Sequence, residues 1–455
     1  MTHAPDAAAV WDALGGDPAL LSRISYRPRA GALPARLPVI ELARACVGAC
    51  ALAAAEHAAT RAGRPVGGVQ VDDGAVATAF HSERHLRIDG RAPVNFAPLS
   101  RFWRTADGLL RTHANYPHHR ERLCAALGVG ADATVEEVAE LLAARPAHEV
   151  EETVYAAGGL AVALRTPGEW AAHPQGAAVA ARPVLTRERV DGAAPRAARG
   201  GGPRVLDLTR VLAGPVATRT LALLGADVLR VDAPQLPEDA DTHADTGFGK
   251  RSARLDLRDG ADRRTFDALL AEADVVVTGY RPGALDRFGL APQALTERRP
   301  GLVVASLSAW GAYGPWAGRR GFDSLVQVAT GIAAIEGAAA EPGALPAQAL
   351  DHGTGYLIAA GVLRALTDQA AYGGSYVLRY ALAQTAGWLV NGLARPAPQP
   401  SGAPLEPADW LAETDSALGR LRHALSPVSF AGGPADWARP PGRWGADAPV
   451  WLPRG

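Results

Sequence analysis

The sequence predicts an α/β protein: a mostly parallel sheet core joined to a smaller α+β unit. Three observations carry that expectation. Four short apolar runs, Val205–Leu208, Val228–Val231, Val275–Thr278 and Val303–Leu307, are separated by helical segments. Buried parallel strands joined by crossover helices produce that alternation. The first run ends in a polar turn, Thr209–Pro215, and the second in an acid, Asp232, the grammar of a βαβ unit with a ligand-facing loop. At 455 residues the chain also exceeds one ordinary core, so more than one domain is expected.

Taken in order, residues 1–95 read as a partial first segment without a sheet of its own. It holds one strong helical stretch, Ile40 to Arg61, and a short strand, Gly68-Val69-Gln70-Val71. Residues 96–183 read as the small α+β domain. Phe102–Thr105 alternates, Asp107-Gly108 turns the chain, and Leu109–Thr112 resumes the strand. Thr134 with Glu137 three residues on signals the start of a helix over Val135–Ala144. Residues 184–203 are expected to be a linker, since their small, Gly- and Pro-rich content buries little apolar surface. Residues 204–391 form the α/β core, and residues 392–455, rich in Pro, Trp and Gly, an extended tail over a surface. A weak internal repeat relates Ala43–Asp72 to Tyr356–Leu378, although two Ala-rich helices can also resemble each other through composition alone.

Composition bounds the function. A net charge of −1 does not call for a nucleic-acid surface, and 48% hydrophobic with 20% charged residues fits a globular protein. No apolar run reaches membrane-span length and Met1–Asp6 lacks a secretory pattern, so a cytoplasmic protein without a membrane partner is expected. Three cysteines do not make a disulfide framework; Cys46 and Cys50 share one helix face as core residues. His113, His118 and His119 lack metal-site spacing and read as solvated loop histidines, so no metal is expected.

The chemistry-bearing candidates lie on loops. Thr209–Pro215 closes the first core strand, where open α/β sheets bind ligands, and Pro215 suits a first helical turn with free backbone N–H groups. Lys250 is the single lysine of the chain, set in Gly249-Lys250-Arg251-Ser252; a compact point charge wanted at an anion is one reading, random survival the other. Tyr280-Arg281-Pro282-Gly283 closes another strand. There is no GxGxxG, which counts against a nicotinamide-dependent oxidoreductase even though Asp232 would suit a ribose. Asp351, in Ala349–Gly355 ahead of the helical run Tyr356–Ala371, is an N-cap candidate. A helix N-terminus would depress its pKa and leave a free carboxylate nucleophile. Gly353 and Gly355 would leave room for a thioester to approach the backbone. His352 reads as an exposed or capping histidine.

These blocks, in this order, resemble the family III CoA-transferases, which include formyl-CoA transferase, carnitine CoA-transferase and the α-methylacyl-CoA racemases. Trp103–Gly108 and His173-Pro174-Gln175 resemble that family's smaller domain, which here precedes the core instead of following it. The resemblance implies a Rossmann-like core in a chain of rearranged or fused half-modules. It implies no permanently bound cofactor: coenzyme A and acyl-CoA are substrates. By resemblance Arg210, Val211, Ala213, Leu255, Arg258, Tyr280, Arg287, Phe288 and Arg320 fall where family members touch CoA, and Lys250 joins them as a candidate. Asp351 falls where the family's aspartate attacks the thioester, giving an aspartyl anhydride and then an aspartyl-CoA thioester. Gly279 stands where members often have asparagine, and Leu212 where many have glutamine. The candidate repeat copy has no aspartate matching Asp351; Glu41 is its nearest acid. The racemase branch resembles Gly-His-Asp where this chain reads Gly321-Phe322-Asp323, and Phe322 accepts no proton. A non-catalytic acyl-CoA binder is the remaining alternative. The resemblance also implies a homodimer.

Overall fold

The computed structural model describes residues 5–94, 96–196, 201–338, 341–394 and 405–454. Its centre is a seven-stranded sheet. In chain order the strands are β1 (Leu185–Arg189), β2 (Arg204–Leu208), β3 (Asp227–Asp232), β4 (Arg251–Arg254), β5 (Val275–Thr278), β6 (Val303–Ser308) and β7 (Tyr376–Ala381). In space the order is β4-β3-β2-β5-β6-β7-β1. Every pairing is parallel except β7 with β1, where Tyr376 faces Arg189 and Tyr380 faces Leu185. All residues of β2 and β5 are buried, as expected where helices cover both faces.

Two strands escape an apolar-run reading. β4 carries Arg251 and Arg254. β1, within the stretch expected to be a linker, reads Leu-Thr-Arg-Glu-Arg. It forms the antiparallel edge of the sheet, with Arg187 bonded to Asp368 and Glu188 to Arg379. An edge strand needs only one apolar side, and charge on the other protects it from further pairing. The expected linker is therefore partly sheet; its residues 197–200 lie outside the described residues, as do tail residues 395–404.

The 24-residue helix α5 (Ala349–Tyr372) lies buried against a second 24-residue helix, α1 (Val39–Ala62), and against α3 (Ala213–Leu223). α1 and α5 start alike, after Pro38 (φ −73°, ψ 60°) and Gln348 (φ −73°, ψ 63°), and each is followed by a glycine, Gly63 and Gly373. Each then leads to a strand, Val69–Asp72 and β7. In this register Glu41 is the third helical residue of α1, as Asp351 is of α5. The first segment does carry a small sheet, Ile24–Arg27 paired in parallel with Val69–Asp72.

The small unit has its own core around Trp103, Leu110, Leu123, Val138, Leu142 and Val150. Its three-stranded antiparallel sheet joins Phe102–Arg104, Leu109–Thr112 and Ala161–Ala163. Thr134 and Glu137 form the capping box of the Val135–Ala143 helix. The C-terminal segment differs from a plain extended tail. Leu411–Ser416 and Gly419–Ala424 form a hairpin that Arg87–Ile88 extends. Beyond it three indoles donate to the core: Trp437 to the Arg219 carbonyl (2.8 Å), Trp444 to Asp232 Oδ2 (3.0 Å) and Trp451 to the Leu269 carbonyl (3.0 Å).

The α3–α5 contact tolerates no side chain at Gly355, where a Cβ would stand 2.7 Å from the Ala213 carbonyl oxygen and 2.9 Å from Val216 Cβ. Gly355→Ala should destabilise the protein by about 1–3 kcal/mol, the usual cost of overpacking, measured by urea denaturation.

Candidate functional site

At the carboxyl ends of the strands a cavity of about 580 Å³ opens between the core and the small unit. The loop after β2 forms one wall. Val211 there has φ +69°, an outlier for a β-branched residue that persists only when its surroundings impose it. Glu238 does so: its Oε2 accepts from the Val211 amide at 3.1 Å and from Arg230 Nη2 at 2.9 Å. Its Oε1 accepts from Tyr116 of the small unit at 2.6 Å, and Arg210 lies 4.8 Å over the Tyr116 ring. Burial pushes the Glu238 carboxyl up, but Arg230 and Arg210 outweigh it and hold it at about 2. One carboxylate thus joins the strained loop, the core and the small unit.

Most sequence-derived candidates meet in this cavity. Arg210, Val211 and Ala213 line it from the first loop, Leu255 from the end of β4, Tyr280, Arg287 and Phe288 from the loop after β5, and Arg320 from the loop before Phe322. Gly279, Leu212 and Asp351 line it too. Two candidates do not. Lys250 is fully buried, its Nζ 3.0 Å from Asp207 Oδ2 and 3.0 Å from the Pro215 carbonyl. It ties β2 to α3 and reaches no ligand; burial lowers its pKa to about 8 against the pull of Asp207. Arg258 turns back on Asp256, with Nη2 2.8 Å from Oδ2, and stays at the surface.

The setting of Asp351 differs from the expected one. It is not an N-cap but the third residue of α5, behind Gln348, whose side chain makes no capping bond. The cap comes from another helix, α4 (Asp323–Ala329): Asp323 Oδ2 accepts from the amides of Leu350 (2.9 Å) and Asp351 (3.0 Å). Gln327 donates to the other Asp323 oxygen. The pKa shift is reversed as well. Burial, then the charges of Asp323 and Glu83, push Asp351 well above the ordinary aspartate value. Burial raises Asp323 to about 6, partly offset by those same helix amides and Gln327. The helix end that was to ionise Asp351 is taken up by Asp323 instead.

Gly353 and Gly355 serve packing rather than ligand approach: a Cβ on Gly353 would sit 3.3 Å from Cys46 Sγ, and Gly355 faces α3. His352 is fully buried, with Nε2 3.2 Å from Glu83 Oε2 and its ring stacked on Phe80 at 5.2 Å. The small unit's histidines are not solvated loop residues. His118 and His119 line the cavity from α2 (Pro117–Leu127). His113 stacks face to face on Phe322 at 3.8 Å, and His119 meets Phe322 edge-on at 5.7 Å. Burial, reinforced by neighbouring cationic groups, lowers His113 to about 3 and His119 to about 2. Sequence reading missed Glu83 and Glu238, and gave Asp323 and these histidines no role in the site. The pairing of Tyr116-Pro117 with a helix start was the only local signal for the last of them.

Comparison with known proteins bears on this cavity. The model of CoA-transferase family III matches residues 201–404, which include the six strands β2 to β7 and Asp351. Over those residues the chain is similar to CoA-transferase family III. The chain is 35% identical over 199 residues to an acetyl-coenzyme A transferase of Hypoxylon pulicicidum, covering 42% of this chain and 34% of that protein. It is 33% identical over 228 residues to a probable fatty acyl-CoA transferase of Mycobacterium tuberculosis, covering 45% and 57%. It is 34% identical over 177 residues to a formyl-CoA:oxalate CoA-transferase of Streptomyces coelicolor, covering 36% and 43%. A crystal structure of a hypothetical protein from Mycobacterium tuberculosis matches with 33% identity and a TM-score of 0.40, over 44% of this chain and 58% of that one. The chain spans between 34% and 57% of the length of these curated relatives.

Two outcomes follow from the buried charges. Lys250→Ala strands the buried Asp207 carboxylate and should cost about 3–5 kcal/mol in urea denaturation. Asp351 has a folded-state pKa above that of an unfolded aspartate, about 4. Its contribution to stability is therefore full below that pH and is lost as pH rises through the folded value. Asp351→Asn should melt like the parent near pH ~4 and progressively above it as the pH rises. A gap that stays constant across a pH series of thermal melts would contradict this.

Proposed function

We propose that the protein is a CoA-transferase that moves CoA from an acyl-CoA donor to a carboxylic acid acceptor, with Asp351 as the nucleophile. The observation that carries this reading is the buried Asp351 carboxyl in the same cavity as Arg210, Tyr280, Arg287, Phe288 and Arg320. The arginines suit the phosphates of CoA, and Tyr280 and Phe288 suit its adenine. The first amides of α3 offer backbone donors.

In the first step the Asp351 carboxylate attacks the thioester carbonyl. The new C–O bond forms, the C–S bond breaks, and the electron pair leaves with the CoA thiolate. The thiolate then attacks the aspartyl carbonyl of the anhydride and releases the donor acid, leaving an aspartyl-CoA thioester. The acceptor carboxylate attacks that thioester, CoA leaves again and opens the second anhydride at its acyl carbon. The products are the new acyl-CoA and free Asp351. Covalent catalysis divides one hard exchange into easier ones. Asp351 must lose its proton to react, so kcat/KM should rise with pH through its elevated pKa.

Racemisation is not favoured, because Phe322 packs on His113 and the His119 imidazole is too weakly basic to take an α-proton. By the family resemblance the protein works as a cytoplasmic homodimer, which sedimentation would test; among the described residues no helix is long and apolar enough to cross a membrane. The deciding experiment incubates the protein with an acyl-CoA and hydroxylamine. A hydroxamate on the Asp351 peptide in mass spectrometry is the expected result, absent from Asp351→Ala, whose kcat should fall roughly a thousandfold or more. No adduct, with CoA binding intact in the variant, would mean a non-catalytic acyl-CoA binder.

A further inference from the structure

The N-terminal segment reaches the nucleophile's helix through three consecutive residues. His81 Nε2 lies 2.8 Å from the Pro346 carbonyl, just before α5. Ser82 Oγ donates to Asp245 Oδ2 of the core at 2.8 Å and accepts from Arg219 Nη2 at 3.1 Å. Glu83 Oε2 lies 3.2 Å from Nε2 of His352, the residue after Asp351. His352 is fully buried and held on its other side by the Phe80 ring. A tripeptide bonded at every residue is a fixed element, and its last side chain is a carboxylate bonded to the residue that follows the nucleophile.

We propose that Glu83, donated by the N-terminal segment, is a positioning residue of the Asp351 centre: its carboxylate fixes the His352 ring and stands with Asp323 as a second negative charge beside the nucleophile. This rests on the reading of Asp351 as the nucleophile. The groups facing the centre are Asp323 from α4, with Arg111 of the small unit acting on it, His352 on α5 itself, and Glu83 with Arg84 (3.9 Å), His81 and His85 from the N-terminal segment; Arg210, Arg320, His118 and His119 line the same cavity. Burial pushes the Glu83 carboxyl up, but its bond to His352 outweighs this and keeps it below the usual value.

The chemical consequence is specific. The charges of Asp323 and of the partly buried Glu83 both oppose ionisation of Asp351. An ionised Asp351 is correspondingly more basic and a stronger nucleophile. When its oxygen bonds the acyl carbon and CoA thiolate departs, Asp351 becomes uncharged and the repulsion ends. Glu83 therefore raises the free carboxylate relative to the acylated form and drives acylation forward.

The test compares the full-length parent protein with Glu83→Gln and Glu83→Asp, following kcat/KM against pH, KM for the acyl-CoA, the hydroxamate adduct and the melting temperature. Glu83→Gln should move the acid limb of the profile to lower pH by about one unit, the size expected for one unit charge several ångströms away in a partly shielded site. Its plateau kcat should fall several-fold with KM nearly unchanged. Glu83→Asp draws the charge back by one methylene and should move the limb the same way by less; if Glu83→Gln does not fold, that shift is read alone. An acid limb that stays at the parental pH in every folded variant, whatever the loss of rate or stability, overturns the proposal. If the parent itself forms no adduct, the Asp351 reading fails and this one with it; an adduct with an unmoved limb defeats the role of Glu83 alone.

Discussion

The fold of the site depends on how the buried start of α5 is satisfied. A helix that begins inside a protein brings amides that neither water nor a preceding turn can take. Here one carboxylate from a different helix, Asp323, accepts two of them. This bond fixes α5 relative to α4, and through α5 it fixes α1 and α3, which pack along its length. It also decides the chemistry. An aspartate in the first turn would ordinarily enjoy the helix dipole, but that benefit has already gone to Asp323. Asp351 is left buried beside a like charge, and the same arrangement that stabilises the helix raises the energy of its carboxylate.

A second carboxylate performs a parallel task at the other wall of the cavity. Glu238 ties Val211, Arg230, Arg210 and Tyr116 into one network that crosses from core to small unit. The positive φ of Val211 survives because its amide has a fixed acceptor. The loop most suited to approach a phosphate is therefore held in its unfavourable conformation before any ligand arrives, and its shape depends on a tyrosine located 95 positions earlier in the chain.

How much of this was legible in the sequence follows from which forces leave a local trace. Strands β2, β3, β5 and β6 were readable because strands covered on both faces are mostly apolar, even where a buried charge such as Asp207 or Arg230 interrupts them. β1 was not, because an edge strand buries one side only, and its Thr-Arg-Glu-Arg pattern looks like a solvated stretch. The helix Val135–Ala143 announced itself through Thr134 and Glu137, a cap made between neighbours. Asp323 gave no such sign, since it caps a helix 27 residues away. Lys250 was conspicuous by its rarity, yet its partner is the buried Asp207 rather than a ligand. The loop residues lining the cavity came from resemblance, whereas Glu83 and the histidines that flank Phe322 join the site only through tertiary folding.

Glu83 and His352 are 269 residues apart, yet one polypeptide carries both. Groups joined covalently meet at an effective concentration set by the chain between them, not by the amount of protein present. Dilution, which strips a shared centre of a partner's contribution when that partner is a separate molecule, leaves this pair together. The ratio of the two groups is likewise fixed at one to one through synthesis and turnover. A sequence change at either position is therefore felt by every copy of the centre that the altered chain builds.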